Sequence, residues 1–269
     1  MEATFPVRSL QLLPDADTPR YWFAGDPFVT HFFNAISSTF PEGERFFIKS
    51  VRRFMDRIDD PQLEAEVRQF VKQEAQHYQI HDKHVDLLVE QGYVGLRAMN
   101  RFAERGMSLS LRATPRFALA TTTAVEHFTA TLAAEMLDRA DDWLAPMDSA
   151  MRDLWRWHAL EELEHRCVAL DVYEATIDSA GLRRAAMLFF LPGFLTELAF
   201  RHTLLMVRDR QFSPRVWWRG LRRLWGRGGL LRALVPEIGR YFRADFRPAP
   251  AERLDHYRQQ LGPAVVSRG

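Results

Sequence analysis

The segments EAQH (residues 74–77) and ELEH (residues 162–165) share one spacing, a glutamate followed three residues later by a histidine. In a helix, residues three apart lie on the same face, so each pair can bind a single metal ion. A lone glutamate precedes each pair on an earlier helical stretch, Glu44 before the first and Glu126 before the second. Two lone glutamates and two such pairs are the ligand inventory of a dinuclear carboxylate site in a four-helix bundle.

A further histidine extends the second pair. His158 lies four residues before Glu162 and seven before His165. At about 100° of helical rotation per residue, the three side chains share one stripe, so His158 can give one metal ion a second imidazole. Glu161 falls about 60° to one side of that stripe, and we expect it beside the site as an acceptor for a ligand.

Several residues near the preferred ligands are alternative candidates for the same metal site. Glu42 competes for the first lone-glutamate position, and His127 lies next to the second. His81 and His84 share the helical face of the first pair as ligands or relays, although a polar-core role is the stronger expectation. Cys167 lies on a different face from the second pair and is expected to be structural. The preferred metal ligands are Glu44, Glu74, His77, Glu126, His158, Glu162 and His165.

Composition limits the class of protein and the kind of metal site. The chain has 269 residues, 47% of them hydrophobic, with 14 Gly and 14 Pro, which favours a mostly helical domain with a substantial core. The single cysteine excludes a disulfide framework or a cysteine metal site within one chain. The N-terminal segment contains early acidic residues and no apolar stretch of signal-peptide length, so we expect a cytoplasmic protein.

Cap residues and prolines place the long helices. Asp60 followed by Pro61 is a helix start, with the aspartate at the N-cap and proline at the first helical position. Thr114 followed by Pro115 repeats that signal. The predicted helices run over residues 61–90, 115–138 and about 146–178, with a crossover helix at roughly 94–110.

The pattern divides the chain into three regions. Residues 1–27 contain four prolines and no sustained periodicity, which predicts an irregular N-terminal arm. Residues 28–181 hold the metal-binding bundle, and residues 182–269 form a helical C-terminal extension. Twelve arginines and three acidic residues between positions 201 and 247 give that stretch a charge of +9, which indicates a surface or partner of its own.

The segment 185–232 has two interpretations. Residues 185–195 are almost wholly apolar, and Trp217, Trp218 and Trp225 then alternate with arginines. This pattern is typical of peripheral attachment to a membrane surface, although the apolar run is too interrupted for an ordinary span. The other interpretation is packing across the bundle with a solvated arginine face. No nucleic-acid partner is expected, because no binding module is recognisable.

Three segments resemble a known bacterial family. FPEGERFF (residues 40–47), EAQH and WRWHALEELEHRCVALDVYE (residues 155–174) are similar to the predicted metal-dependent hydrolases, a family that is ferritin-like by motif, over roughly residues 10–250. The order of candidate ligands also resembles that of the di-iron arylamine N-oxygenases, in spacing alone. Carried over position by position, that second resemblance implies the same seven ligands.

Together these features predict an all-α protein, a ferritin-like four-helix bundle with extra C-terminal helices. The leading hypothesis is a di-iron or manganese–iron oxidoreductase that activates O2 to oxidise a small apolar substrate. Its electrons would come from a separate reductase or ferredoxin, because no nicotinamide or flavin fingerprint is present. The alternatives are a metal-dependent hydrolase that uses a metal-bound water and an iron-storage bundle. The oligomeric state is open, with a homodimer among the options.

Overall fold

The computed structural model describes residues 5–11, 13–249, 252–261 and 265–268, and its architecture is all-α, as predicted. Its helices are α1 (Pro27–Ser37), α2 (Phe40–Arg52), α3 (Pro61–Glu90), α4 (Gly95–Ala113), α5 (Pro115–Asp138), α6 (Ala140–Trp143), α7 (Ser149–His165), α8 (Val168–Thr176), α9 (Ala180–Arg208), α10 (Pro214–Trp225), α11 (Leu230–Arg240) and α12 (Leu254–Gln259), with a short 3-10 turn at Met55–Arg57. Strands β1 (Val7–Leu10) and β2 (Val265–Arg268) pair antiparallel.

The helix starts follow from local capping chemistry. The carboxylate of Asp60 accepts a hydrogen bond from the backbone N–H of Gln62 at 2.9 Å, and Pro61 occupies the first turn, where its missing N–H has no cost. Asp26 caps α1 in the same way. The predicted helices 61–90 and 115–138 coincide with α3 and α5.

The predicted helix over 146–178 is wrong in one respect, since it is broken at Arg166 and Cys167 into α7 and α8. In a continuous helix the carbonyl of Leu163 would accept from the N–H of Cys167. Here the Arg166 guanidinium donates to that carbonyl instead. The break ends α7 at His165, which places this last residue of α7 in the bundle interior.

Four helices surround the bundle interior as two antiparallel hairpins. α2 packs along α3, α5 packs along α7, and the hairpins meet through α2 with α5 and α3 with α7. α4 crosses between the hairpins, and α9 and α11 pack on α5 from outside. This arrangement brings the four predicted ligand-bearing segments together. Its assignment to the ferritin-like class stays a prediction.

The N-terminal arm is more ordered than its composition indicated. β1 pairs with β2 near the end of the chain, in the register Val7 with Arg268 and Leu10 with Val265. β1 also packs against α3 and α7. The sequence pattern missed this strand because its pairing partner lies more than 250 residues away. The division of the chain into three regions stays a prediction.

Candidate metal centre

Four helices each contribute to one buried cluster of carboxylates and imidazoles. The members are Glu44 on α2, Glu74 and His77 on α3, Glu126 on α5, and His158, Glu162 and His165 on α7. Each of them is at most 4% exposed. The structure therefore brings all seven sequence-predicted residues together, and their role as metal ligands is a proposal.

One half of the cluster is centred on His165. Its Nε2 lies 3.2 Å from Oε1 of Glu74, 3.4 Å from Oε2 of Glu126 and 3.7 Å from Oε1 of Glu162. Three carboxylates from three different helices therefore converge on one imidazole nitrogen. Such convergence of oxygen and nitrogen donors is suited to a divalent cation.

The other half is centred on His77. Its Nδ1 lies 3.5 Å from Oε1 of Glu74 and 3.8 Å from Oε1 of Glu162. Nε2 of His158 lies 3.3 Å from the same oxygen of Glu162. Glu44, Glu74 and His77 each offer a ligand atom, and these atoms lie within 4.8 Å of one another. Glu74 and Glu162 therefore take part in both halves.

The cluster contains buried polar atoms that the protein does not satisfy. Within the described part of the chain, both oxygens of Glu44, Glu74 and Glu126 lack a hydrogen-bond partner, as do Nδ1 of His77 and Nε2 of His165. Burying an ionised carboxylate without a partner costs roughly several kcal/mol of folding free energy, because the charge loses its hydration. Bound cations would remove that cost, so the donor set fits a metal site.

The pKa values of the cluster are shifted because several ionisable groups are buried close together. Burial raises the pKa of Glu44 well above its usual value and that of Glu126 to about 8, and neighbouring carboxylates add to both shifts. Burial lowers the pKa values of His77 and His165, but the carboxylates around each imidazole outweigh it, so both pKa values are raised. Burial opposes ionisation of Glu162 too, but surrounding imidazoles lower its pKa to about 2. Without cations, the cluster thus holds protons that metal binding would release.

Neighbouring side chains fix which ring nitrogen of each histidine faces the cluster. Nε2 of His77 hydrogen-bonds to Oε2 of Glu161 at 3.1 Å, which leaves Nδ1 for a metal. The other oxygen of Glu161 accepts from the backbone N–H of Arg8 at 3.0 Å. Nδ1 of His165 hydrogen-bonds to Oε1 of Gln73 at 3.0 Å, which leaves Nε2 for a metal. Partners of this kind orient imidazole ligands and raise their basicity.

A buried ion-pair network joins these partners to both ends of the chain. Glu164 accepts two hydrogen bonds from Arg8, at 2.6 and 2.8 Å, and one from Arg258 at 2.8 Å. Gln73 donates to the carbonyl of Pro6 at 2.9 Å. Sequence reasoning missed Gln73, Arg8 and Glu164, and only the adjacency of Gln73 to the EAQH segment offered a signal.

His158 leads away from the cluster into a row of hydrogen bonds. Its Nδ1 lies 3.1 Å from Nε2 of His81, and Nδ1 of His81 lies 2.8 Å from the hydroxyl of Ser37. The same hydroxyl lies 2.7 Å from Nδ1 of His84. Burial lowers the pKa of His81 well below its usual value and that of His84 to about 4, so both imidazoles are neutral. Neutral imidazoles and a hydroxyl can pass a proton along such a row.

The competing residues lie elsewhere. Glu42 pairs with Arg45 at 2.6 Å, and the Nε2 of His127 hydrogen-bonds to the backbone carbonyl of Glu237 at 3.0 Å. Cys167 is half-buried in the break between α7 and α8. Of the alternatives left open by spacing, Glu161 and His81 are the ones that contact the cluster.

A cavity of about 280 Å³ lies beside the cluster, between α2, α4, α5 and α9. Phe46 and Phe47 line its inner part, and exposed Gly106 and Phe189 line its mouth. Thr129 lies at the inner end, and its hydroxyl donates to Oε2 of Glu162 at 2.5 Å. The cavity therefore leads from the surface to one of the candidate ligands.

The C-terminal helices present an apolar and basic surface. In α9, each exposed residue from Ala185 to Val207 is uncharged, and Phe189 is 76% exposed. α10 exposes Trp218 and Trp225 together with several arginines. In the described parts of the chain, no helix has the length and hydropathy needed to cross a bilayer.

A buried carboxylate and imidazole cluster inside a helical bundle defines a metal-binding α-helical protein. The family model described as predicted metal-dependent hydrolase matches residues 6–252, so the chain belongs to that family. This confirms the first resemblance found in the sequence. No curated protein and no solved structure matches the chain.

The family match corrects the leading sequence-based hypothesis. The expected O2-activating di-iron or manganese–iron oxidoreductase is wrong, because the family is one of predicted metal-dependent hydrolases. The match favours the hydrolase alternative instead. The resemblance to the arylamine N-oxygenases rested on ligand spacing alone, and spacing fixes where ligands lie without fixing the reaction.

Proposed function

We propose that the protein is a metal-dependent hydrolase whose reaction centre holds two divalent cations. One observation carries the proposal. The carboxylate oxygens of Glu44, Glu74 and Glu126 are buried without hydrogen-bond partners among the described residues, within a cluster that includes His77 and His165. Groups of this kind are stable in a protein interior when a cation neutralises them.

The identity of the ions is a finer proposal. Four glutamates and three histidines form a set of oxygen and imidazole donors, which suits first-row divalent ions. We propose iron or manganese, as a like or a mixed pair, with zinc as the competing ion. The seven proposed ligands are Glu44, Glu74, His77, Glu126, His158, Glu162 and His165.

The cations, when bound, would lower the pKa of a water and polarise the scissile group of the substrate. The protein contributes position and proton transfer. Glu161 and Gln73 hold the two imidazoles in the orientation that faces the cluster. Thr129 holds Glu162 at the inner end of the cavity. Nε2 of His81 lies at hydrogen-bond distance from Nδ1 of His158, and His81 offers a path for a proton away from the centre.

The test is a hydrolysis assay with and without metal. The purified protein is stripped with a chelator and assayed on carboxylic esters and phosphoesters, then reconstituted with Fe2+, Mn2+ or Zn2+ under anaerobic conditions. We expect activity to disappear with the metal and to return with at least one ion. The variant Glu74→Ala should not recover, whereas Glu90→Ala, an exposed glutamate on the same helix, should behave as wild type. Hydrolysis that survives complete metal removal would overturn the proposal.

We also propose that the surface of α9 and α10 attaches the protein to a membrane. The exposed face of α9 is uncharged over more than 20 residues, and α10 carries exposed tryptophans among arginines. Tryptophan favours the headgroup region, and arginine is attracted to anionic lipids. A second copy of the chain is a weaker occupant of this surface, because two such arginine-rich faces would repel each other.

A further inference from the structure

We infer that the cavity between α4 and α9 binds the apolar chain of a carboxylic ester whose ester group lies at the metal cluster. This inference rests on the proposed hydrolase function and names its substrate class. The scissile group would lie near Thr129, which, among the residues that the structure describes, alone lines the inner end of the cavity and hydrogen-bonds to a candidate metal ligand. The chain would extend from there toward the mouth.

The lining of the cavity favours an apolar occupant. Phe40, Phe46 and Phe47 come from α2, and Phe190 and Phe194 come from α9. These side chains offer a long hydrophobic surface and few hydrogen-bonding groups. An occupant with several hydroxyl or amide groups would lose its hydrogen bonds to water without replacement, which costs about 1–3 kcal/mol for each group.

The charges around the cavity favour a neutral scissile group. Arg201 is the cationic side chain among the described lining residues, and it is fully engaged. It donates to Asn100 at 2.7 Å, to the carbonyl and hydroxyl of Ser38 at 3.1 Å each, and to Glu197 at 2.6 Å. Among the described lining residues, no guanidinium is therefore left to bind a phosphate. Two divalent cations and four ionised glutamates would also cancel in formal charge, so an ester fits better than a phosphomonoester dianion.

The size of the cavity limits the length of the substrate's apolar chain. A volume of about 280 Å³ is at the small end of ligand pockets, where drug-sized ligands need about 300–1,000 Å³. A single unbranched chain of medium length fits such a space, whereas a two-chain phospholipid does not.

In the reaction, water adds to the acyl carbon and the bond to the alkoxy oxygen breaks. One water proton passes to the departing alcohol, and the products are one carboxylic acid and one alcohol.

Two glycines at the mouth allow a specific test. A Cβ added at Gly106 on α4 or at Gly193 on α9 would meet no heavy atom within 4 Å, so the first carbon of a side chain fits at either position. Gly106→Leu and Gly193→Leu therefore narrow the mouth while favouring the helix. Gly239→Leu on α11 is the matched control, because Gly239 is exposed, equally uncrowded and not part of the cavity lining.

The readout is separate from activity. Metal-free protein is titrated by calorimetry with straight-chain alcohols from butanol to dodecanol, which lack a charged group that the glutamates would repel. We expect affinity to rise about fourfold for each added methylene until the cavity is full. Gly106→Leu and Gly193→Leu should weaken binding of the longer alcohols at least tenfold, and Gly239→Leu should bind as wild type. The metal-loaded protein should show the same chain-length preference in kcat/KM for 4-nitrophenyl alkanoates.

The outcomes separate this inference from the hydrolase proposal. Affinity that does not change with chain length, or that is unaffected by both mouth variants, would overturn the inference even if the metal-loaded protein hydrolyses esters. Chain-length-dependent binding that both mouth variants weaken supports the cavity assignment. If no ester is hydrolysed in that case, the hydrolase proposal fails and the substrate class fails with it.

Discussion

At the scale of single residues, the cluster is defined by buried carboxylates that are unstable without a positive charge beside them. Glu44, Glu74 and Glu126 are buried without hydrogen bonds among the described residues, and burial raises their pKa values. Glu42, two residues from Glu44, is also buried, but its carboxylate is paired with Arg45. The two glutamates therefore differ in that the described residues supply a cationic partner to Glu42 and none to Glu44.

Removing individual ligands tests the division of the cluster into two halves. His77→Ala should leave about one ion per chain of an original two, because His77 belongs to one half. Glu74→Ala should lose both ions, because Glu74 takes part in both halves. Metal content after dialysis, measured by elemental analysis and normalised to protein, checks this. An unchanged content of two in both variants would show that the ligand assignment is wrong.

Ser37 tests the row of hydrogen bonds that leaves the cluster. Ser37→Ala breaks the contact between His81 and His84, so we expect kcat to fall roughly tenfold with metal content unchanged. Ser37→Thr keeps the hydroxyl and should restore most of the activity. Ser50→Ala is the control, a buried serine that contacts Thr122 instead. A metal-loaded Ser37→Ala protein with the wild-type pH–rate profile and kcat would rule out a role for this row in proton transfer.

At the scale of helices, short sequence signals predicted the helix starts, because neighbouring residues determine them. Asp60 with Pro61 gave the start of α3 through a side-chain cap. Pro115 gave the start of α5 by its place in the first turn, since the Thr114 side chain makes no capping hydrogen bond. The spacing of the candidate ligands was readable for the same reason. The break between α7 and α8 was not predicted, since no proline, glycine or cap signal marks residues 166 and 167; the Arg166 side chain donates to the carbonyl of Leu163 there.

α9 contains a pH-sensitive contact outside the cluster. Nε2 of His202 donates to the carbonyl of Phe28 at 3.1 Å, and burial lowers the pKa of His202 to about 4. The unfolded value is about 6.5, so the neutral histidine contributes stability above pH 6.5 that is lost as the pH falls toward 4. The difference of roughly 2.5 pH units sets an upper limit of about 3 kcal/mol.

His202→Gln should reduce this pH dependence, because glutamine keeps a donor and does not titrate. Urea unfolding of the metal-free protein at pH 7 and pH 4.5 gives the loss of stability between the two conditions. We expect that loss to be smaller in His202→Gln than in wild type, while His256→Gln, at an exposed position on α12, matches wild type. Equal losses in all three proteins would contradict the contribution assigned to His202.

At the scale of the whole molecule, the two ends of the chain meet next to the candidate metal centre. Arg8 on β1 and Arg258 on α12 both donate to Glu164, one residue before His165. The sequence could not reveal this, because contacts across 156 and 94 residues, and a strand pairing across more than 250, leave no local pattern. The all-α class and the grouping of the seven residues were predictable because helical spacing and hairpin order act over short distances. The reaction was not, since the same ligand spacing serves several chemistries.

The proposed membrane surface predicts binding to anionic lipid. The protein should co-sediment with vesicles that contain phosphatidylglycerol and much less with pure phosphatidylcholine, and higher salt should weaken the binding. Reversing two exposed arginines in Arg219→Glu/Arg222→Glu should weaken it roughly tenfold or more, at about 1 kcal/mol per cation removed and more for reversal. Arg52→Glu, an exposed arginine on α2, is the control. Equal sedimentation with both kinds of vesicle would contradict an electrostatic attachment.

The central claim is that the buried cluster holds two cations on which hydrolysis depends. The most direct measurement is elemental analysis and ester hydrolysis on the same sample, before chelation, after chelation and after reconstitution. The account predicts about two metal ions per chain before chelation, and a hydrolysis rate that falls and recovers in proportion to metal content. A reconstituted protein that binds no metal, or one that hydrolyses esters equally well in all three states, would contradict it.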